Sequence, residues 1–164
     1  MNNFTYYAPT KVFFGKGVND SVGNFMREQN AQKVLLLYGG GSVKRSGLLD
    51  KLTEQLRSAG IEYTLLGGVE PNPKVGFVRD AARLCQEQDI DFILAVGGGS
   101  VIDTAKCASF AAACNADPWD IITMKVPATK RIPVAVVLTI AAAGSEMSNS
   151  QVISNPEIMV KQGL

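Results

Sequence analysis

The chain has 164 residues, of which 46% are hydrophobic and 19% charged, and its formal net charge is +1. These values are ordinary for one globular domain with a sizeable core. So small a charge gives no case for a nucleic-acid footprint or an acidic partner. The first residues lack the basic start and apolar core of a signal peptide. The longest apolar stretch, residues 132–144, is shorter than the roughly 20 residues of a membrane helix, so we expect a cytoplasmic protein without membrane contact.

Histidine is absent from the sequence. Enzymes that use a catalytic metal or acid–base chemistry usually draw on imidazole, so this absence argues against catalysis by this segment alone. The three cysteines, Cys85, Cys107 and Cys114, are an odd number without a secretory signal and predict no disulfide framework. Cys107 and Cys114 could share one helix face, but a metal site needs further ligands nearby. We therefore expect buried thiols.

The N-terminal segment carries two short aromatic and β-branched runs, at residues 4–7 and 11–14. Residues 8–10, Ala-Pro-Thr, join them, and this pattern predicts an N-terminal β-hairpin. Apolar residues between Val18 and Met26 then recur at helical spacing.

From residue 33 onward, strand and helix signals alternate with short connections. Continuous apolar runs favour strands buried on both faces, as in parallel sheets. This predicts an α/β fold, a parallel sheet with right-handed crossovers and helices on both faces. Strands are predicted at residues 33–38, 61–66, 91–96 and 132–139, helices at 48–59, 75–85 and 100–114, and a final hairpin at 151–154 with 158–161.

The pentapeptide Gly-Gly-Gly-Ser-Val occurs at residues 39–43 and 97–101, after a strand each time, which suggests two neighbouring strand ends facing one elongated ligand. In the second copy, three glycines let a phosphate approach the backbone N–H groups and the N-terminus of the following helix. Ser100 and Asp103 match a capping box. Lys106 could pair with Asp103 or lean toward the phosphate. The alternative is a plain tight turn with a helix cap, and the G-x-G-x-x-G fingerprint is absent.

The first copy indicates a 2′-phosphate site. NAD-specific folds often hold an acid at such a strand end for the ribose 2′-hydroxyl, but Gly39 stands there. Ser42, Lys44 and Arg45 follow closely and would attract a phosphate rather than repel it. The alternative is an exposed turn with two solvated cations.

Two further strand-end turns carry polar side chains. Thr139 and Ser145 flank an alanine-rich turn after the fourth strand and could donate to phosphate or ribose, although such turns are also common in cores. Asn72, between two prolines, could bond a ribose or adenine edge; the alternative is a rigid turn in which Asn72 caps the next helix. Trp119 is expected to pack in a short helix.

Together, these motifs resemble the iron-containing alcohol dehydrogenase family, especially its butanol dehydrogenase-like branch. The resemblance covers essentially the whole chain, although glycerol dehydrogenases and dehydroquinate synthases share related versions of the longest motif. The family's commoner turn reads Thr-Gly-Ser-Glu, and Ala143 replaces the threonine, so one hydroxyl of the pattern is missing. The matching segments are Gly97-Gly98-Gly99-Ser100-x-x-Asp103-x-Ala105-Lys106, Pro71-Asn72-Pro73, Gly144-Ser145-Glu146-Met147 and Pro9-Thr10-Lys11-Val12-x-Phe14-Gly15.

The resemblance implies an enzyme that interconverts alcohols and aldehydes or ketones with NAD(P)(H). A Rossmann-like N-terminal domain would hold the dinucleotide, and a C-terminal helical domain would bind Fe(II) or Zn(II) through an aspartate and histidines. It implies that residues 1–164 are the dinucleotide-binding domain of a longer protein, with no catalytic residue or metal ligand of their own. The cofactor contacts carried over by position are Gly39, Gly40, Gly41, Ser42, Asn72, Gly97, Gly98, Gly99, Ser100, Asp103, Thr139, Ser145 and, near the nicotinamide, Lys161.

We therefore expect the parent protein to be an NADP(H)-dependent alcohol dehydrogenase or aldehyde reductase acting on a small primary alcohol or aldehyde, and this chain alone to be inactive. The alternatives are a stand-alone, non-catalytic nucleotide-binding module, a glycerol dehydrogenase-like relative, or a folded remnant that binds no ligand. A second domain would cover one side of this domain, so we expect apolar surface to be exposed there in the chain alone. Such surface favours self-association and a homo-oligomer.

Overall fold

A four-stranded parallel sheet with the order β2-β1-β3-β4 forms the centre of the computed structural model, which describes residues 3–5 and 7–164. The predicted parallel α/β sheet is confirmed. The two inner strands, β1 and β3, are almost wholly buried because helices cover both of their faces, whereas β2 and β4 are partly exposed edges. The strands are β1 (Lys33–Tyr38), β2 (Glu62–Gly67), β3 (Phe92–Gly97) and β4 (Val134–Leu138).

In the described part of the chain, six helices divide between the two faces of the sheet. Alternate side chains of β1 point to opposite sides: Leu35 and Leu37 pack with α4 and α5, while Leu36 and Tyr38 pack with α1 and α3. The predicted Rossmann-like arrangement, with helices on both faces, is therefore present. The helices are α1 (Val22–Glu28), α2 (Ser42–Arg45), α3 (Leu48–Ser58), α4 (Val75–Glu87), α5 (Gly99–Cys114) and α6 (Pro118–Ile122), with short 3-10 turns at Val18–Ser21 and Ser145–Met147.

Helix α5 lies in the densest part of the core. It contacts β3, α4 and α6, and small residues such as Ala105 and Ala108 are fully buried where these elements approach closely. Asp117 caps α6 by accepting a hydrogen bond from the N–H of Trp119 at 2.8 Å. Trp119 is buried, which confirms its expected packing role. Among the residues that the structure describes, no helix is long and apolar enough to cross a membrane.

The C-terminal hairpin is confirmed, one or two residues further along than predicted. Strands β5 (Val152–Asn155) and β6 (Val160–Gly163) pair antiparallel. The N–H of Ser154 donates to the carbonyl of Pro73 at 2.8 Å, which docks the hairpin beside the turn that precedes α4.

The predicted N-terminal β-hairpin is wrong for the described residues: no strand lies in residues 3–5 or 7–14, and Tyr6 lies outside the described part of the chain. The aromatic side chains that suggested strands are largely exposed, except that Phe13 stacks on Phe25 of α1 at a centroid distance of 3.8 Å. A run with β-propensity becomes a strand only where another strand pairs with it, because an isolated hairpin is marginal in water.

The expectation of buried thiols is confirmed for Cys85 and Cys107 and is only partly met by Cys114, which is half-buried. All three thiols are free. Burial raises the pKa of both Cys85 and Cys107 to about 12, because a thiolate is poorly solvated in the apolar interior.

Candidate functional site

The two glycine turns follow the neighbouring strands β1 and β3, where the crossover connections of the sheet run in opposite directions. From β1 the chain crosses to β2 on one side, and from β3 it crosses to β4 on the other. In open α/β sheets, ligands bind in the crevice at such a switch point, beyond the carboxyl ends of the strands. Tyr38 pairs with Val96, so both turns begin at the same level. A Cβ added to Gly39 would lie 3.4 Å from Cγ2 of Val101, which shows that the turns are in contact.

The three glycines after β3 have different reasons to lack a side chain. A Cβ on Gly97 would lie 2.5 Å from Cγ2 of Val101, and a Cβ on Gly98 would lie 2.7 Å from Cγ2 of Ile140. The packing of the chain itself therefore excludes side chains at these two positions. A Cβ on Gly99 would meet no atom within 4 Å, so the space over this residue is open to a ligand.

The N-terminus of α5 points into this open space without a side-chain cap. The N-cap residue is Gly98, which has no side chain that could cap the helix. Its carbonyl accepts hydrogen bonds from the N–H groups of Val101 and Ile102. Among the described residues, no acceptor faces the N–H groups of Gly99 and Ser100. Free N–H groups and the partial positive charge of a 16-residue helix favour an anion at this end.

The predicted capping box of Ser100 and Asp103 is wrong. Ser100 lies inside the first turn of α5, too far along the helix to act as its N-cap. The Asp103 carboxylate instead accepts hydrogen bonds from the hydroxyl of Ser145, at 2.6 Å, and from the N–H of Val152, at 3.1 Å. Asp103 thus faces the turn after β4 rather than the N-terminus of its own helix.

The turn after β1 presents side chains instead of a long helix. It leads into α2, which has only four residues. The guanidinium of Arg45 folds back over the turn, since a Cβ on Gly41 would lie 2.5 Å from its Nη1 atom. The Lys44 ammonium lies 5.4 Å from the ring centroid of Tyr38. Within the described part of the chain, neither cation has a carboxylate within ion-pair distance, so both positive charges are available at this turn.

Asn72 and Lys161, 89 residues apart, meet in the structure. The Lys161 ammonium donates to Oδ1 of Asn72 at 2.7 Å, and both residues are exposed. Asn72 has a left-handed backbone conformation, with φ of 56°, and Lys74 is the N-cap residue of α4. The alternative in which Asn72 caps α4 is therefore wrong. The carboxamide of Asn72 also carries two N–H donors, and the residue is exposed.

The turn after β4 closes the third side of the crevice. The N–H of Thr139 donates to the carbonyl of Gly97 at 3.1 Å, so Thr139 continues the strand beside the glycine turn and remains exposed. Ser145, by contrast, is buried, and its hydroxyl donates to Asp103. The structure brings Thr139 to the crevice, whereas the Ser145 hydroxyl is engaged within the protein.

Lys106 makes no direct ion pair with Asp103 among the described residues. Its ammonium donates to the carbonyl and the hydroxyl of Ser145, to the carbonyl of Ser150 at 2.9 Å and, over 3.4 Å, to the hydroxyl of Ser148. Partial burial lowers the pKa of Lys106, and the nearby charge of Asp103 partly offsets this effect. The sequence signalled Lys106 only through its motif, because its partners lie 39 to 44 residues away.

A further set of long-range ion pairs was not predicted from the sequence. The guanidinium of Arg79, on α4, binds the Asp117 carboxylate at 2.7 Å and lies 3.9 Å from the carboxylate of Glu157 in the hairpin turn. Burial opposes the ionisation of Asp117, but the hydrogen bonds from Arg79 and from the N–H of Trp119 outweigh this effect and lower the pKa of the carboxyl. These ion pairs join α4, the N-terminus of α6 and the hairpin turn.

Comparison with known proteins supplies the family context. The family model described as iron-containing alcohol dehydrogenase matches residues 9–164. A Bacillus subtilis protein named "Probable NADH-dependent butanol dehydrogenase 1" is 48% identical over 163 residues, which are 99% of this chain and 42% of that protein. The NADPH-dependent aldehyde reductase YqhD of Escherichia coli is 42% identical over 167 residues, with coverage of 99% and 42%.

The fold has close counterparts among solved structures. The crystal structure of NADH-dependent butanol dehydrogenase A from Thermotoga maritima superposes with a TM-score of 0.97 at 38% identity, over all of this chain and 41% of that one. The chain thus spans about two fifths of the length of the relatives that it matches.

Proposed function

The chain belongs to the iron-containing alcohol dehydrogenase family, and on that premise we propose that residues 1–164 are the dinucleotide-binding domain of an NADP(H)-dependent alcohol dehydrogenase or aldehyde reductase. The observation that carries this proposal is the pair of contacting glycine turns at the switch point of the sheet, one of which opens the uncapped N-terminus of α5. A pyrophosphate accepts hydrogen bonds from such an N-terminus, and the long dinucleotide spans neighbouring strand ends.

The local geometry fits a dinucleotide. The backbone is open above Gly99 and above Gly40, where added Cβ atoms would have no neighbour within 4 Å. The N–H groups of Gly99 and Ser100 supply two donors for a phosphate, and Thr139 adds a hydroxyl at the side of the crevice. Gly97 and Gly98 contribute by letting Val101 and Ile140 pack close to the turn.

The choice of NADP(H) over NAD(H) rests on the turn after β1. Gly39 leaves no carboxylate to repel a 2′-phosphate, and the exposed cations of Lys44 and Arg45 together with the Ser42 hydroxyl attract one. The similar proteins carry both NADH-dependent and NADPH-dependent names, so the charges at this turn are the basis of our choice.

When bound, the nicotinamide would accept a hydride from an alcohol or deliver one to an aldehyde. The residues of this chain bind and orient the cofactor, and we assign Asn72 and Lys161 to its nicotinamide end because their hydrogen bond sets the Lys161 ammonium at the turn that follows β2, at the carboxyl end of the sheet. Within residues 3–5 and 7–164, no group of three or more histidine, cysteine, aspartate or glutamate side chains could hold a metal ion. The described residues therefore do not form a metal site, and we derive no step through a metal. We propose that polypeptide outside these 164 residues supplies the metal ligands and most contacts to a small alcohol or aldehyde.

Self-association is also part of this proposal. Large apolar side chains are exposed on the N-terminal segment and on the hairpin turn, including Phe14 and Met159 at 97% and 90% exposure. Such surface favours a homo-oligomer, and a strictly monomeric species in light scattering at high protein concentration would contradict it.

Titration of the chain with NADPH and NADH, followed by nicotinamide fluorescence, tests the proposal. We expect NADPH to bind about 10-fold or more tightly than NADH, because one charge-assisted hydrogen bond to the 2′-phosphate contributes about 1.5–3 kcal/mol. Gly99→Ala should weaken both dinucleotides without loss of stability, since its methyl group enters space that only a ligand would fill.

Gly76→Ala is the matched control, because Gly76 also lies in the first turn of a helix with nothing within 4 Å of an added Cβ. It should change neither affinity. If the wild-type chain binds neither dinucleotide, the proposed function is wrong for this chain; if Gly99→Ala binds like the wild type, the phosphate does not lie at the N-terminus of α5.

A further inference from the structure

The loop between the end of β4 and the start of β5 is held to α5 by two charged residues one turn apart. Asp103 accepts from the hydroxyl of Ser145 and from the N–H of Val152, the first residue of β5. Lys106 donates to Ser145 and to the carbonyl of Ser150. Residues 144–150, which we name the bridging loop, are therefore fastened at both ends to the same face of the helix.

The bridging loop has little else to hold it. It contains only the short 3-10 turn Ser145–Met147. The next side chain, Gln151, is buried, but neither polar atom of its carboxamide has a hydrogen-bond partner within the described residues. An unpaired buried amide destabilises the conformation that buries it. The backbone of Gln151 pairs with Leu164, but the hydrogen bonds that join residues 144–150 to other described parts of the chain are those with Asp103 and Lys106.

The position of the loop determines two walls of the crevice. Its N-terminal side continues from Thr139, beside the glycine turn, and its C-terminal side leads into the hairpin that brings Lys161 to Asn72. The hairpin is docked beside this turn by the hydrogen bond of Ser154 with Pro73, and the loop is joined to the hairpin at Val152, where Asp103 accepts from the backbone N–H.

The geometry of Asp103 argues against direct contact with a phosphate. Both of its carboxylate oxygens are already hydrogen-bonded to the loop, and a carboxylate beside a pyrophosphate would repel it. Lys106 lies beyond the first turn of α5 and directs its ammonium to the same loop. Both charges act on the protein rather than on the anion.

We propose that Lys106 is a positioning residue: its ammonium fixes the bridging loop against α5, and with Asp103 it secures the start of the hairpin, which Ser154 docks on Pro73 and in which Lys161 meets Asn72. The proposal rests on the proposed function for its effect on cofactor binding, but its effect on the loop can be measured without a ligand. Lys106 touches neither the open space above Gly99 nor the turn after β1.

Lys106→Met, Lys106→Arg and, as a control, Lys51→Met form the test set. Methionine keeps most of the length but none of the donors, arginine keeps the charge and some donors, and Lys51 lies on α3 in an exposed ion pair with Asp20. In ligand-free protein, Lys106→Met should speed hydrogen exchange at the N–H of Val152 about 10-fold or more, while amides of β1 and β3 exchange as in the wild type. Lys106→Arg should exchange at an intermediate rate, and Lys51→Met as the wild type.

NADPH titration of the same proteins gives the second readout. Lys106→Met should weaken NADPH about 10-fold with little change in the thermal midpoint, and Lys106→Arg should recover part of the affinity. If exchange at Val152 is unchanged in Lys106→Met, or if the loop loosens while the affinity for NADPH stays at the wild-type value, the proposal is overturned.

The two proposals fail in different ways. A wild-type chain that binds no dinucleotide defeats the proposed function, while the exchange rates still decide whether Lys106 fixes the loop. If Lys106→Met does not fold, Ser145→Ala replaces it, because it removes the hydroxyl that Asp103 and Lys106 share. It should accelerate exchange at Val152 in the same way, and unchanged exchange there would again overturn the proposal.

Discussion

The same five residues, Gly-Gly-Gly-Ser-Val, end two neighbouring strands and build two different turns. After β1, residues 39–43 lead into a helix of four residues that stops before Gly47, whose φ is 72°. After β3, residues 97–101 open a helix of 16 residues. The valine of each copy is 4% exposed and packs into the core, but on opposite faces of the sheet.

The residues after each pentapeptide account for the difference. Lys44, Arg45 and Ser46 are exposed and cannot bury a helix face, whereas Ile102 and Ala105 continue the second helix into the core with 0% exposure. The first turn therefore exposes charged side chains, and the second exposes the backbone N–H groups at the start of a long helix. On the proposed function, identical glycine turns would serve two parts of one ligand, the 2′-phosphate and the pyrophosphate.

The largest expected effect is a difference in stability between variants at the first glycine of each pentapeptide, Gly97 and Gly39. Gly97→Ala should destabilise the chain by about 1–3 kcal/mol, because the new methyl group would lie 2.5 Å from the stiff, β-branched Val101. Gly39→Ala should cost less than about 0.5 kcal/mol, since its Cβ would make ordinary contacts at 3.4 and 3.5 Å. Urea unfolding of both variants measures the difference, and equal losses would show that the two turns are packed alike.

A smaller effect is expected on the affinity for NADPH relative to NADH, and it distinguishes the first turn from the second. Arg45→Met should weaken NADPH about 10-fold and leave NADH nearly unchanged, because in the proposed site the guanidinium would contact only the 2′-phosphate. Arg57→Met, on α3 and in an exposed ion pair with Glu54, is the control and should alter neither affinity. An equal loss for NADPH and NADH would place Arg45 at a part of the ligand that both share.

The effect that is smallest near neutral pH concerns the core beneath the second turn, where burial raises the pKa of Cys107 to about 12 from the ordinary value of 9.0. The folded state thus holds this proton more tightly than the unfolded chain does. The resulting stability is fully present below about pH 9 and should be lost as the pH rises toward about 12.

Cys107→Ala should flatten this alkaline loss in urea unfolding measured at several pH values, and an unchanged slope would contradict it.

Iodoacetamide at about pH 8 should modify Cys114 first. Partial burial opposes the ionisation of Cys114, but hydrogen bonding with Lys130 and Thr129 outweighs this effect and lowers the pKa of the thiol, while Cys85 and Cys107 stay protonated.

Local patterns were reliable where one segment carried the whole signal. Continuous apolar runs such as residues 33–38 and 91–96 predicted buried parallel strands within one residue of their bounds, because only an inner strand of such a sheet buries every side chain. The aromatic run at residues 11–14 failed, because a strand also needs a neighbour and nothing local specifies one.

Side-chain partners were the weaker part of the prediction. Ser100 and Asp103 have the spacing of a capping box, but the carboxylate finds better partners in a turn more than 40 residues away. Asn72 looked like a helix cap and meets Lys161 instead. The short polar side chains of a turn have several local partners of similar energy, so the packing of distant elements decides among them.

The sequence by itself determined the α/β fold, the strands that carry the glycine turns and the family to which the chain belongs, because periodicity and glycine motifs are local properties of the polypeptide. Only the tertiary structure decided that the two pentapeptides touch at the switch point, that Gly97 and Gly98 are required by Val101 and Ile140, and that Lys106 fastens the bridging loop. The physical reason is that these contacts join residues far apart in the chain, and their geometry exists only once the sheet and α5 are packed.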